Sequence, residues 1–61
     1  MISRLRASVQ DVVRGAQSAQ EAEERILANI PEVSHALAEK RHDHFDIHVR
    51  ANGRGIDIYV S

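Results

Sequence analysis

Histidine and aspartate residues that could bind a metal ion are concentrated in the segment HDHFDIH, residues 42–48. On a β-strand, His44, Asp46 and His48 would point to the same side, because alternate side chains share a face. Imidazole nitrogens and carboxylate oxygens are ligands of zinc and nickel. His44 and His48 would nevertheless lie about 13 Å apart at the ~3.3 Å rise of a strand, too far for one ion. The pattern predicts at most weak binding by neighbouring pairs, and it favours a solvated polar face on which His48 pairs with Asp57.

Catalytic residues are not indicated elsewhere in the chain. The sequence contains no cysteine, which excludes disulfides, thiol nucleophiles and thiolate zinc sites. Ser34 and His35 are sequence neighbours and would point to different faces of a helix. The glycine-rich segment 52–55 lies between two predicted strands, so it lacks the anion-binding geometry of a loop that precedes a helix. We therefore expect no enzymatic activity and no cofactor.

The composition predicts one small globular domain over residues 1–61. Hydrophobic residues make up 43% of the chain, which is typical of a folded protein. Eight basic and nine acidic side chains give a net charge of -1, without the overall positive charge of a non-specific nucleic-acid binder. No long apolar run predicts a membrane span or a signal peptide, so we expect a cytoplasmic or virion-interior location.

The N-terminal half carries two helix patterns. Apolar residues at helical spacing predict a first helix over residues 2–14, and Gly15 is suited to end it. Ser18 and Glu21 form a capping box at the start of a second helix, in which Glu21 and Arg25 have the spacing of an ion pair. The predicted buried positions of the first helix are Ile2, Leu5, Val9, Val12, Val13 and Ala16.

Pro31 interrupts the second helix pattern, because its ring removes a hydrogen-bond donor and disfavours helix at the preceding residue. Residues 31–42, PEVSHALAEKRH, then predict a third, shorter helix with Val33 and Leu37 on its apolar side. A single helix kinked at Pro31 is the alternative.

The C-terminal segment predicts a β-hairpin. Apolar and polar residues alternate on both sides of Asn52-Gly53, a pair that favours a type I′ turn with positive φ at both positions. A two-residue turn puts apolar residues opposite one another on one face and polar residues on the other. The predicted pairs are Phe45 with Val60, Ile47 with Ile58, Val49 with Ile56, Asp46 with Tyr59 and His48 with Asp57.

Together these patterns predict an α+β fold, with two or three N-terminal helices packed on a C-terminal antiparallel β-hairpin. Such a sheet is barely stable alone, and the core of this chain is small because aromatic residues make up only 3%. We therefore expect the strand 56–60 to pair with its copy in a homodimer, completing a four-stranded sheet. Addition of a strand from another chain, or a monomer, are the alternatives. The predicted interface residues are Ile56, Ile58, Tyr59 and Val60.

The order of the elements resembles a winged-helix domain and the Cro family of phage repressors. The similarity covers about the C-terminal half, through the segments PEVSHALAEKRH, HFDIHV, IDIYV and ANGRG. It implies DNA binding by Lys40 and Arg41, with Arg54 at the hairpin tip as a minor-groove contact.

The function expected from the residues is a small non-enzymatic interaction or adaptor module that acts as a homo-oligomer. A DNA-binding regulator is the first alternative, and weak metal binding by histidines is the second. The Ala-rich composition, with arginine in excess of lysine, suggests an accessory protein of a bacterium or phage.

Overall fold

The computed structural model describes the backbone of residues 2–61 and the side chains of residues 4–61, so the predicted burial of Ile2 lies outside the described residues. Within this range two helices cover one face of an antiparallel sheet with strand order β1-β2-β3, and the α+β class is confirmed. The elements are α1 (Ile2–Val13), α2 (Ala19–Asn29), β1 (Val33–Lys40), β2 (Phe45–Ala51) and β3 (Arg54–Val60).

The first helix, α1, ends where the sequence predicts. Gly15 has φ +78°, a left-handed conformation that glycine adopts without steric cost. The Arg25 guanidinium of α2 donates hydrogen bonds to the carbonyls of Val12 (3.4 Å) and Arg14 (2.8 Å). These carbonyls lie at the end of α1, where no further helical turn supplies donors. Arg25 therefore ties the C-terminal end of α1 to α2.

The second helix, α2, begins at a side-chain cap. The Ser18 hydroxyl accepts a hydrogen bond of 3.0 Å from the Glu21 N–H, as predicted. The capping box predicts that the Glu21 carboxylate accepts a hydrogen bond from the Ser18 N–H. The carboxylate accepts instead from the N–H of the preceding residue, Gln17 (3.1 Å). It also forms the predicted ion pair with Arg25.

The third helix predicted after Pro31 is wrong, and so is the kinked-helix alternative. A turn closed by the Val33 N–H and the Ile30 carbonyl (3.1 Å) leads instead into strand β1. Residues 36–40 are all alanine, leucine, glutamate or lysine, which favour helix, but pairing with β2 outweighs that local preference. In this strand Ala36 and Ala38 face the core, and Leu37 is exposed.

The predicted hairpin is confirmed in turn type and in register. Asn52 and Gly53 have φ values of 55° and 77°, as a type I′ turn requires. Gly55 pairs with Arg50 in a regular register, and a Cβ atom at Gly55 would lie 3.1 Å from the His48 ring. The one register shift of the sheet lies in β1, between Val33 and His35. All five predicted cross-strand pairs occur: Phe45–Val60, Ile47–Ile58, Val49–Ile56, Asp46–Tyr59 and His48–Asp57.

The core lies between the helices and one face of the sheet. It consists of aliphatic side chains, which include the small Ala36 and Ala38 of β1, the strand that packs against α2. Neither helix of residues 2–61 is long and apolar enough to cross a bilayer. The buried residues are Leu5, Val9, Val13, Ala22, Ile26, Ile30, Val33, Ala36, Ala38, Ile47, Val49, Ala51, Ile58 and Val60.

Candidate interaction surface

The outer edge of β1 is occupied by helix α2. Where β1 pairs with β2, the N–H groups of alternate β1 residues point away from β2, and the Ala38 N–H is among these. The Glu23 carboxylate accepts a hydrogen bond of 2.8 Å from this N–H. Two residues further on, the Lys40 ammonium donates to the Gln17 carbonyl at 3.1 Å. The edge of β1 is therefore held by side-chain contacts with α2 and the segment before it.

The outer edge of β3 has no such contacts with the side chains that the structure describes. The pair Ala51–Arg54 flanks the two-residue turn, so alternate residues from Arg54 onward bond to β2. The backbone groups of Gly55, Asp57 and Tyr59 then point outward. Among residues 4–61, no side chain forms a hydrogen bond to the backbone of these three residues. This edge offers unpaired donors and acceptors to another strand.

The four residues predicted for an interface occupy two different environments. Ile58 is 3% exposed, Val60 is buried and Ile56 is partly buried, and all three pack in the core of their own chain. Tyr59 is 57% exposed and lies on the opposite face of the sheet. A second strand beside β3 would therefore bond to the backbone groups of Gly55, Asp57 and Tyr59, and it would meet only the margins of the three aliphatic side chains.

The uncovered face of the sheet carries a cluster of charges at one end. Arg41 donates from Nε to Asp46 (3.0 Å) and from its terminal nitrogen to Glu39 (2.9 Å). The hydrogen bond from Arg41 lowers the pKa of Asp46, burial opposes this change, and the nearby His44 lowers it further. The same hydrogen bond raises the pKa of Arg41, with added attraction from Glu39. This cluster holds the loop between β1 and β2 against the sheet.

His44 adjoins this cluster and is the most enclosed of the four histidines, with 18% of its side chain exposed. Its Nδ1 lies 2.8 Å from an oxygen of Asp43, and its Nε2 lies 3.2 Å from an oxygen of Asp46. The ring stacks on Tyr59, with centroids 4.2 Å apart and an interplanar angle of 18°. The hydrogen bond with His44 lowers the pKa of Asp43, against a smaller opposing effect of burial. A neutral imidazole can donate to one of these carboxylates, and the protonated ring can donate to both.

The three candidate metal ligands are not brought together. His44 contacts Asp46, whereas the Nδ1 of His48 lies 2.7 Å from an oxygen of Asp57. Across residues 4–61 no three histidine, aspartate or glutamate side chains are grouped closely enough to hold a metal ion. The predicted pair of His48 and Asp57 is confirmed.

The basic residues proposed for DNA binding lie at opposite ends of the sheet. Lys40 and Arg41 are at the loop between β1 and β2, and Arg54 follows the turn between β2 and β3. A seven-residue strand separates the two ends by about 20 Å at ~3.3 Å per residue. The segment that the Cro-like resemblance assigns to a third helix is strand β1. Residues 2–61 therefore do not have the three-helix arrangement that the resemblance implies.

Two surface depressions adjoin these features. One, of about 370 Å³, lies on the uncovered face beside β3 and is bordered by Arg6 of α1. The other, of about 430 Å³, lies between the end of α1 and the loop that joins β1 to β2. Both are open to solvent. The first is lined by Arg6, Leu37, Glu39, Asp46, Ile47, His48, Asp57, Ile58 and Tyr59.

The chain matches no family model, and no curated protein or solved structure is significantly similar to it. Function is therefore inferred from the open edge of β3 and its surroundings. Glu23, which closes the opposite edge, was not predicted from the sequence. In the sequence, Glu23 is marked only by its position next to the buried Ala22. That position indicates a contact with a strand edge only when residues 33–40 are known to form a strand.

Proposed function

We propose that this protein is a small non-enzymatic protein–protein interaction module that self-associates through the edge of β3. The observation that supports this proposal is the difference between the two edges of the sheet. Glu23 and Lys40 make side-chain hydrogen bonds along the β1 side, whereas Gly55, Asp57 and Tyr59 present backbone groups outward on the β3 side. An open edge of this kind pairs readily with another strand.

Association would also compensate for the size of the core. The chain has one Phe, one Tyr, no Trp and no Cys, so aromatic rings add little to its core and no disulfide stabilises it. A domain of about 60 residues buries a smaller share of its surface than a larger domain does. Pairing of two β3 strands across a two-fold axis would form a six-stranded sheet, because each chain contributes three strands. The proposed dimer would therefore have six strands, in place of the four expected from the sequence.

Analytical ultracentrifugation of the wild type and of an Asp57→Pro variant tests the proposal. The Asp57 N–H points outward, so proline there removes an edge donor without removing a bond to β2. We expect a wild-type dimer at micromolar concentration and a folded Asp57→Pro monomer with an unchanged circular dichroism spectrum. The matched control, Asp57→Ala, also loses the contact with His48 but keeps its N–H, and should remain dimeric. A wild-type monomer, or a dimer that tolerates Asp57→Pro, would contradict the proposal.

Binding of DNA or metal is less well supported as a function. Lys40 and Arg41 are engaged with Gln17, Glu39 and Asp46, and Arg54 is at the far end of the sheet. The histidines of the metal hypothesis are engaged with separate carboxylates. Addition of a strand from a different protein uses the same edge as self-association. The side chains of β3 match those of a second antiparallel β3 strand, which favours a second copy as the partner.

A further inference from the structure

We infer that the two copies pair in one register, with the two-fold axis at Ile58, so that Asp57 of each chain lies opposite Tyr59 of the other. This inference rests on the proposed self-association through β3. It goes further by naming the residues that meet across the axis, and it follows from the side chains along the strand.

The hydrogen-bonding pattern restricts the possible registers. Gly55, Asp57 and Tyr59 are the residues of β3 whose backbone groups point outward, so they must pair among themselves across the new interface. A shift by one residue would place outward-pointing groups opposite inward-pointing ones. It would also turn one strand's apolar side chains towards the wrong face. The axis must therefore pass through a residue of the strand rather than between two residues.

An axis at Asp57 is unfavourable because of charge. It would place the Asp57 carboxylates of the two chains directly opposite each other, at a residue whose side chain is 91% exposed. Like charges in this position destabilise an antiparallel pair. On the other face, this register would place Arg54 opposite Val60, a charged residue against a buried aliphatic one.

Axes at Ile56 and at Tyr59 are unfavourable for other reasons. An axis at Ile56 places Arg54 opposite Ile58 and brings the turn residue Asn52 opposite Val60, although Asn52 has φ 55° and is not extended. An axis at Tyr59 leaves few strand residues to overlap, because β3 ends at Val60. The axis at Ile56 therefore places a charged residue against an aliphatic one, and the axis at Tyr59 allows only a short ladder of hydrogen bonds.

An axis at Ile58 gives compatible side-chain pairs on both faces of the sheet. On the face covered by the helices, Ile58 lies opposite Ile58 and Ile56 lies opposite Val60, so every contact is aliphatic. On the uncovered face, Asp57 lies opposite Tyr59, which repeats the Asp46–Tyr59 pair within each chain. The overlap extends from residue 56 to residue 60. No like charges meet within this overlap.

Cysteine cross-linking distinguishes these registers, because the chain has no cysteine of its own. Opposite residues in a hydrogen-bonded pair have Cα atoms about 5.5 Å apart, within the range that a disulfide spans. We expect an equimolar mixture of Asp57→Cys and Tyr59→Cys chains, one carrying a size tag, to form the mixed disulfide on mild oxidation. Either variant alone should form little, because its two cysteines would lie diagonally, about 7–8 Å apart. His35→Cys, exposed on β1, is the control for random collisions.

The outcomes separate the register from the proposed function. Efficient cross-linking of Asp57→Cys with itself, in a protein that sediments as a dimer, would overturn the register and leave self-association through β3 standing. A dimer in which neither the mixture nor either variant exceeds the His35→Cys control would also overturn the register. A monomer in sedimentation with no cross-linking above that control would overturn both.

Discussion

The carboxylate of Glu23 accepts a 2.8 Å hydrogen bond from the N–H of Ala38, linking helix α2 to the outer edge of β1. This contact joins residues fifteen positions apart in sequence. It satisfies a backbone donor that would otherwise face solvent on an edge strand. Acidic side chains that cap strand edges limit the growth of a sheet, so the contact leaves β3 as the side available for pairing.

Replacement of Glu23 tests this role. We expect Glu23→Ala to lower the free energy of unfolding by about 1 kcal/mol, because a partly buried hydrogen bond to a charged group is lost. It should also produce some species larger than a dimer, since the Ala38 N–H on the β1 edge would then lack a partner. Urea denaturation and sedimentation velocity measure the two effects.

The control for this variant lies on the same helix. Glu24 is exposed and contacts Gln20 within α2, at 3.3 Å. We expect Glu24→Ala to change stability by less than about 0.5 kcal/mol and to leave the assembly state unchanged. Equal effects of the two substitutions would show that Glu23 acts only through helix composition or net charge.

Acid should destabilise the protein through three carboxylates. The folded-state pKa values of Glu21, Asp43 and Asp46 are lowered, chiefly by hydrogen bonds from Gln17, His44 and Arg41 respectively. A lowered folded-state pKa stabilises the fold above the unfolded-state pKa, near 4, and this contribution is lost as pH falls through the folded value. We therefore expect a constant contribution above about pH 5 and a decline below about pH 4.

Asp46→Asn isolates one part of this acid dependence. It removes the titrating carboxylate that faces Arg41 and His44, so the slope of stability against pH below pH ~4 should become shallower. Asp11→Asn is the control, because Asp11 contacts only the exposed Arg14 on the surface of α1. Chemical denaturation at a series of pH values measures both slopes, and an equal change in the two variants would contradict the role of Asp46.

Charge changes at Tyr59 test the register at the centre of the proposed dimer. Tyr59→Lys would place an ammonium opposite Asp57 of the second copy, and Tyr59→Asp would place a carboxylate there. Both variants lose the stacking with His44 equally, and urea denaturation of each measures the separate effect of the new charge on Asp46 of its own chain. Cross-strand charge pairs contribute about 0.2–1 kcal/mol each, and the dimer contains two, so the dissociation constants should differ by about tenfold. The difference should shrink at high salt, and equal constants at low salt would contradict the register.

The hairpin was predictable because its determinants are local. Asn52 and Gly53 specify the turn, the two-residue turn fixes the register, and alternation then decides which side chains share a face. The same reasoning yields the contact of His48 with Asp57, which the structure contains at 2.7 Å. Sequence is sufficient here because the turn and the cross-strand pairs that it fixes all lie within residues 45–60.

Strand β1 was not predictable for two physical reasons. Its residues 36–40 favour helix individually, and a register shift between Val33 and His35 breaks the alternation that marks a strand. Two contacts with other elements decide that this segment is a strand. It pairs with β2, and its two core alanines lie in the strand that packs against α2. The hydrogen bond from Ala38 to Glu23 was not predicted, because it forms only if residues 33–40 are a strand beside α2.

Substitutions at Leu37 and Ala38 distinguish strand β1 from the helix that the local sequence favours. A helix with Val33 and Leu37 on its apolar side would bury Leu37, whereas the strand leaves it 56% exposed and places the 6% exposed Ala38 against the core. We expect Leu37→Asp to change the free energy of unfolding by less than about 0.5 kcal/mol. Ala38→Asp should unfold the domain, because it would bury an unpaired charge where the sheet meets α2. Ala38→Leu should cost about 1–3 kcal/mol through overpacking. Thermal and urea denaturation of the three variants measure this order, and the reverse order would favour the helix.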